Sequence, residues 1–259
     1  MLRPRIIPCL LVHQKGLVKT AQFKNPKYVG DPINAVRIFN EKEVDEIMII
    51  DIDATSENRE PEYKMIENLA AECRMPLCYG GGVKTVEQAE KIFSLGVEKV
   101  AISSEAVNNP DLIKKIGARV GSQSIVVVLD VKKNKNGNYE IWTHNGTKNT
   151  KKDAAQFAKL VESLGAGEVV INSIDNDGVM KGYDFDLVEK IRAAVNLPIT
   201  VLGGAGKLED IGELINKFGI IGASAGSLFV FKGIFKAVLI NYPDNAAKSF
   251  LINNFLQKN

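Results

Sequence analysis

PLCYGGGVKT, residues 76–85, returns as PITVLGGAGK at residues 198–207, an offset of 122 (76 to 198). Each copy reads as a proline, a short apolar strand, a Gly-Gly turn and the start of a helix. Working outward, IMIIDIDA (47–54) aligns with INSIDNDG (171–178) at an offset of 124, and RIIPCLLV (5–12) with SIVVVLDV (124–131) at 119. Three matches in one order, each at a strand end, mark two repeats of about 1–120 and 121–240. The alignment pairs Asp51 with Asp175, Asp53 with Asp177, Gly81-Gly82 with Gly203-Gly204, and Leu11 with Asp130. Ser103-Ser104 falls near the equivalent of Ala225-Gly226-Ser227.

The pattern extends along the chain. Apolar runs at Arg5–Val12, Glu46–Ile52, Leu77–Tyr79, Lys99–Ile102, Ser124–Val131, Glu168–Ser173, Ile199–Leu202 and Ile220–Ser224 are continuous, as strands covered on both faces should be. Helical patterns lie between them: Pro32–Val44, Pro61–Cys73, Thr85–Leu95, Pro110–Ile116, Lys151–Leu164, Phe185–Ala194 and Leu208–Phe218, with Phe231–Tyr242 last. Eight strands, each followed by a helix with no linker, predict a single (β/α)8 TIM barrel over residues 1–259, built from two half-barrels. Lys15–Asp31 reads as a long polar loop over the mouth. The Asn136-Gly137 turn predicts a β-hairpin insertion after strand 5. A helical tail is expected in residues 243–259, at Ala246–Leu256.

Composition excludes several classes. The 33 basic and 31 acidic residues leave a net charge of +2, too balanced to argue for nucleic acid. No apolar run approaches the ~18 residues of a membrane span, and the amino-terminal stretch reads as a first strand, so a cytoplasmic location is expected. Three cysteines without a CxxC pair and two histidines argue against a zinc site, and no cofactor is implied.

The barrel arrangement puts the candidate residues at the carboxyl ends of strands. Gly81-Gly82 and Gly203-Gly204, each before a helix, either make tight turns only or let backbone N–H groups approach a phosphate. With Ser103, Ser104, Gly226 and Ser227 they would form two phosphate sites on one mouth, for a ligand with a phosphate at each end. Asp130 ends strand 5 and is the candidate general acid–base group. Asp51 is expected to orient ligand hydroxyls or neighbours, and Asp177-Gly178 to form a turn that lends amides to a phosphate. Lys19 either reaches a phosphate or lies on the surface. His13 and His144 read as loop residues. Arg5, Glu46, Lys99 and Glu168 stand at the amino ends of strands 1, 2, 4 and 6, a charge ring that would close the barrel's bottom.

At these residues the chain resembles the synthase (cyclase) subunit family of imidazole glycerol phosphate synthase. RIIPCL (5–10), GDPINAVRIFNEKEVDEI (30–47), GGGVKTVEQAEKIFSLGVEKVAIS (80–103), GSQSIVVVLDVK (121–132), GAGEVVINSIDNDGVMKGYD (165–184) and GGAGKLED (203–210) carry the likeness, which extends to about Phe231. The resemblance implies a glutaminase partner on the amino end of the barrel. Ammonia would pass through the barrel to a bis-phosphorylated ribonucleotide, which the family cleaves and cyclises to imidazole glycerol phosphate and an aminoimidazole carboxamide ribotide. It implies a catalytic role for Asp130, an ammonia gate at Arg5, Glu46, Lys99 and Glu168, phosphate binding at Gly82, Ser104, Gly203, Gly204 and Ser227, and a catalytic-loop lysine at Lys19. Leu11 stands where the family has its other catalytic carboxylate. Ser103, Leu202 and Val179 replace a usual asparagine, serine and threonine. Loss of an acid–base group should cripple ordinary cyclisation. RPRIIPCLLVH, IDIDAT and AAECRMPLCYGGG look closer to a divergent branch tied to lipopolysaccharide O-antigen synthesis, in which a sugar amidotransferase is a further partner and ammonia converts an acetamido to an acetamidino group. A working histidine-pathway cyclase and a non-catalytic scaffold that activates its glutaminase are the alternative readings.

Overall fold

The computed structural model describes residues 3–256, with side chains to residue 252. Eight parallel strands carry the architecture: β1 (Arg5–His13), β2 (Ile47–Asp51), β3 (Leu77–Gly80), β4 (Lys99–Ile102), β5 (Ile125–Lys133), β6 (Glu168–Ser173), β7 (Ile199–Leu202) and β8 (Gly222–Ala225). Each pairs with the next in sequence, and β8 pairs back to β1, so the sheet closes into a (β/α)8 barrel. Closure leaves no barrel-strand edge exposed. Alternate side chains of the strands serve two separate cores. Ile6, Leu10, Ile47 and Ile49 face the helices in an annular core. Ile7, Cys9, Met48, Cys78, Ala101, Val126, Val128 and Val170 fill the barrel axis. Local signals start the helices: Asp31 caps Asn34, Thr85 and Gln88 form a capping box, and Asp153 caps Gln156.

The strand ladders correct the repeat register. Ile47 pairs with Leu77 and Val169 with Ile199; Cys9 pairs with Met48 and Val128 with Val170. These partners make Asp51 equivalent to Ser173 and Asp53 to Asp175, two residues from the sequence alignment, while Leu11 stays equivalent to Asp130. Ladder hydrogen bonds decide this register, whereas the alignment was drawn by the repeated Asp-x-Asp letters.

Three other expectations change. Lys15–Asp31 is a hairpin, not a loop: Gly16–Ala21 pairs antiparallel with both β1 and Lys24–Gly30. Its turns, Gln14-Lys15 and Gln22-Phe23, place both central residues at positive φ without glycine, so the usual hairpin signal is missing. Lys151–Asp153 belongs to a strand, Lys148–Asp153, that follows the expected hairpin strand Tyr139–Thr143. Phe231–Tyr242 is not a helix. After a short helix at Ser227–Val230, Phe231–Lys232 pairs with Ala237–Val238 around a turn with Gly233 and Lys236 at positive φ. Its helical apolar spacing is left in solvent, with Ile234 90% and Phe235 89% exposed. Tyr242 then anchors the chain, donating from its hydroxyl to the Ile6 carbonyl at 2.8 Å. The tail helix is present at Asn245–Leu256, and residues 257–259 of that expectation lie outside the described residues. Among the described residues no helix is long and apolar enough to cross a membrane.

Candidate active site

A cavity of about 290 Å³ opens at the carboxyl ends of the strands. Its lining brings together Lys19, Asp51, Gly81, Gly82, Ser103, Ser104, Asp130, Asp177, Gly178, Gly203, Gly204, Gly226 and Ser227. The gate candidates lie apart, at the amino ends of β1, β2, β4 and β6.

Asp130 projects from β5 between two donors, Asn172 Nδ2 at 2.9 Å and Ser103 Oγ at 3.4 Å. Burial pushes its carboxyl up to about 7, with Asp177 adding to the rise and the two hydrogen bonds opposing it. A group that titrates there can both hold and accept a proton near neutrality. Asn172 Oδ1 is buried and has no hydrogen-bond partner among the described residues, an unfilled acceptor beside Asp130. Across the barrel the equivalents of Asp130 and Asn172 are Leu11 and Ile50, so that side of the cavity floor is apolar.

Several expected ligand groups are engaged by the protein. Asp51 is 3% exposed; its Oδ1 accepts from the backbone of Asp53 and Ala54 and from Arg59, whose guanidinium also reaches Oδ2 at 2.9 Å. Asp51 braces the loop after β2. Asp177 Oδ2 accepts from Thr20 Oγ1 at 2.9 Å, and its carbonyl accepts from Gln22 N at 2.8 Å, which latches the β1 hairpin over the mouth. Lys19 rides on that hairpin and turns inward to the Cys9 carbonyl at 2.7 Å. Burial pulls its amine below the ordinary lysine value. Gly226 makes room for it: a Cβ there would meet Lys19 Nζ and crowd the Cys9 carbonyl.

The two Gly-Gly turns are built alike. Gly81 and Gly203 sit at φ 124° and 92°, and a Cβ on either would collide with a backbone carbonyl of the preceding strand end, of Asp51 or Ser173. Tight packing therefore demands glycine at both, and all four turn glycines line the mouth. Ser104 and Ser227 begin the short helices that follow β4 and β8.

At the other end, Arg5, Glu46, Lys99 and Glu168 form one closed network. Arg5 reaches both Glu46 and Glu168, the latter at 2.7 Å. Lys99 Nζ stands 2.9 Å from both glutamates. Burial alone would raise the Glu168 carboxyl, but Arg5 and Lys99 outweigh it and hold it below the usual range. Glu46 and Glu168 occupy equivalent positions of the two halves, whereas both cations come from the first half.

Sequence reasoning missed one group. His13, at the end of β1, bonds through Nδ1 to Asp53 Oδ1 at 2.7 Å, and both residues line the cavity. The signal was present, since His13 is two residues from Leu11 and on the same strand face.

A model of the family described as histidine biosynthesis protein matches residues 5–236. The chain belongs to that family. It is of the HisF type: a provisionally named imidazole glycerol phosphate synthase subunit, hisF3, of Vibrio vulnificus is 59% identical over 96% of each chain. Another, hisF2 of Pseudomonas aeruginosa, is 52% identical over 94% of this chain and 97% of its own. An imidazole glycerol phosphate synthase subunit HisF of Clostridium botulinum is 39% identical over 93% of this chain and 96% of its own. In this chain the barrel's two ends, a charged ring and a polar mouth, are joined by an apolar axis.

Proposed function

We propose that this chain is the synthase-type barrel of a glutamine amidotransferase complex, passing ammonia from a glutaminase docked at the amino end to the mouth around Asp130. One observation carries the reading: the ring of Arg5, Glu46, Lys99 and Glu168 stands over an axis of Ile7, Cys9, Met48, Cys78, Ala101, Val126, Val128 and Val170. Such an axis admits neutral ammonia and penalises ammonium, which would shed its hydration with nothing to replace it. At the far end, the unfilled Asn172 Oδ1 offers an acceptor to an N–H donor beside Asp130. The two glycine cradles, with Ser104 and Ser227, hold a phosphate at each end of the acceptor in this reading.

We propose further that the ammonia serves a sugar amidotransferase, for acetamidino-group formation in lipopolysaccharide O-antigen synthesis. Leu11 supports this, because it removes a carboxylate where proton transfer is expected and leaves Asp130 unmatched. The second reading is a working cyclase in histidine biosynthesis, favoured by both glycine cradles being intact. Glutamine-driven product formation with a purified HisH-type glutaminase tests the channel. Arg5→Ala with Lys99→Ala should abolish glutamine-driven but not ammonium-driven product. A partner that does not bind the amino end, or transfer unaffected by the gate, overturns the proposal. Complementation of a strain lacking the cyclase separates the two destinations.

A further inference from the structure

Opposite Asp130, the mouth holds a histidine–carboxylate dyad with the geometry of an acid–base pair. His13 Nδ1 lies 2.7 Å from Asp53 Oδ1, and Asp53 Oδ2 accepts the backbone N–H of Gln14 at 2.7 Å. Asp53 is 6% exposed, and its own N–H donates to Asp51, which Arg59 clamps. The carboxylate is thus held at both oxygens, and its backbone is tied to Asp51. A carboxylate at this distance requires a proton on Nδ1, because two lone pairs there would repel. Neutral His13 therefore presents an unprotonated Nε2, which makes no hydrogen bond among the described residues. The His13 side chain is 31% exposed and lines the cavity, whose remaining wall carries Asp130, Ser103 and Asn172.

The position is informative. Leu11 and His13 share one face of β1, one pleat apart, or roughly 7 Å along the strand. Leu11 is the ladder equivalent of Asp130 and can transfer no proton. The titratable side chain that β1 presents on this face is therefore His13, one pleat further out.

We propose that His13 is a catalytic acid–base residue, with Asp53 its positioning residue, for addition of ammonia to a carbonyl carbon of a doubly phosphorylated ligand in this mouth. This rests on the second reading above, in which the mouth itself works on a bis-phosphorylated ligand, and not on onward transfer to a sugar amidotransferase. The nitrogen bonds to the carbonyl carbon while the carbonyl π pair moves onto oxygen. Nε2 takes one proton from the nitrogen and the imidazolium, paired with Asp53, returns it to the oxygen. The product is a neutral carbinolamine, and loss of water from it gives the imine. Ammonia is the only co-reactant.

The probe is the bis-phosphorylated cyclase substrate with an ammonium salt, which bypasses glutaminase and gate. The unmodified protein should consume it slowly. His13→Asn should lower kcat by about 10²–10⁴-fold with KM little changed. Adding Leu11→Asp to His13→Asn should restore turnover, because a carboxylate then stands at the inner position. No ammonium-dependent consumption by the unmodified protein, an unchanged rate in His13→Asn, or a loss that Leu11→Asp fails to repair overturns the assignment. The chain's two histidines also make it directly visible: in ¹⁵N-histidine NMR, assigned with His144→Gln, neutral His13 should be the Nδ1–H tautomer and shift on adding the bis-phosphate. Asp53→Asn should lose that tautomer preference while remaining folded. An Nε2–H tautomer in the unmodified protein, or no response to the ligand, refutes the dyad. A failure confined to glutamine-driven transfer refutes the channel instead.

Discussion

The two half-barrels supply equivalent strands to the mouth and furnish them differently. In the second half, Asp130 and Asn172 stand side by side at the cavity floor, hydrogen-bonded to each other at 2.9 Å. In the first, the same two ladder positions are Leu11 and Ile50, and the hydrogen-bonded pair at the strand ends, His13 and Asp53, stands further out. The backbone did not have to change for this divergence, because the parallel ladder fixes which side chains point inward whatever their chemistry. At the opposite end the halves agree in their acids, Glu46 and Glu168, and differ in their cations. Two equivalent halves can thus share the acids of one end and differ in the side chains of the other.

The largest expected effect removes the polar side of the comparison. Asp130→Asn should lower ammonium-driven kcat by about 10²–10⁴-fold, read on the bis-phosphate substrate. Leu11→Ala, its equivalent in the first half, should leave turnover within a few-fold; an equal loss from both would erase the distinction drawn between the halves. Next comes the inlet, where the equivalent glutamates can be set against each other. Glu168→Ala leaves Arg5 and Lys99 short of a partner and should destabilise by about 3 kcal/mol in denaturant unfolding. Glu46→Ala should cost somewhat less, since only Glu168 also accepts from Thr200.

Making the halves alike is a milder test. Leu11→Asp should raise ammonium-driven turnover of the unmodified chain and lower stability by about 1–3 kcal/mol, because the new carboxylate faces Ile50 instead of an asparagine. Adding Ile50→Asn should recover part of that stability. The same carboxylate also gives a pH dependence. Asp130 holds its proton more tightly folded than unfolded, so its ionisation costs the folded state. That cost is absent below about 4, grows as pH rises toward about 7 and persists above. Asp130→Asn escapes it, so its melting temperature should exceed the parent's at pH 8 and converge with it as pH falls to 4. A gain that is the same at both ends would show that burial does not shift Asp130.

Most of the barrel was legible in the chain. All eight strands follow from continuous apolar runs, since burial on both faces leaves no room for polar alternation. The placing of Arg5, Glu46, Lys99 and Glu168 at the amino end and of Asp130 in the mouth was legible too, because strand ends fix which end of a barrel a residue occupies. The β1 hairpin was not, as neither of its positive-φ turns contains glycine. Nor was the Phe231–Val238 hairpin, whose apolar spacing imitates a helix face that packs on nothing.

The sequence by itself determined the period, the count of units and the chemistry available at each strand end. Only the tertiary structure decided which of those groups are free to act. Asp51 read as a ligand group from position, yet Arg59 and the loop amides occupy its oxygens. His13 read as an ordinary loop residue, yet Asp53, forty positions away, orients its ring toward the cavity. The physical reason is that a hydrogen bond depends on distance in space, which the closing of the barrel sets and which the spacing of residues along one strand does not contain.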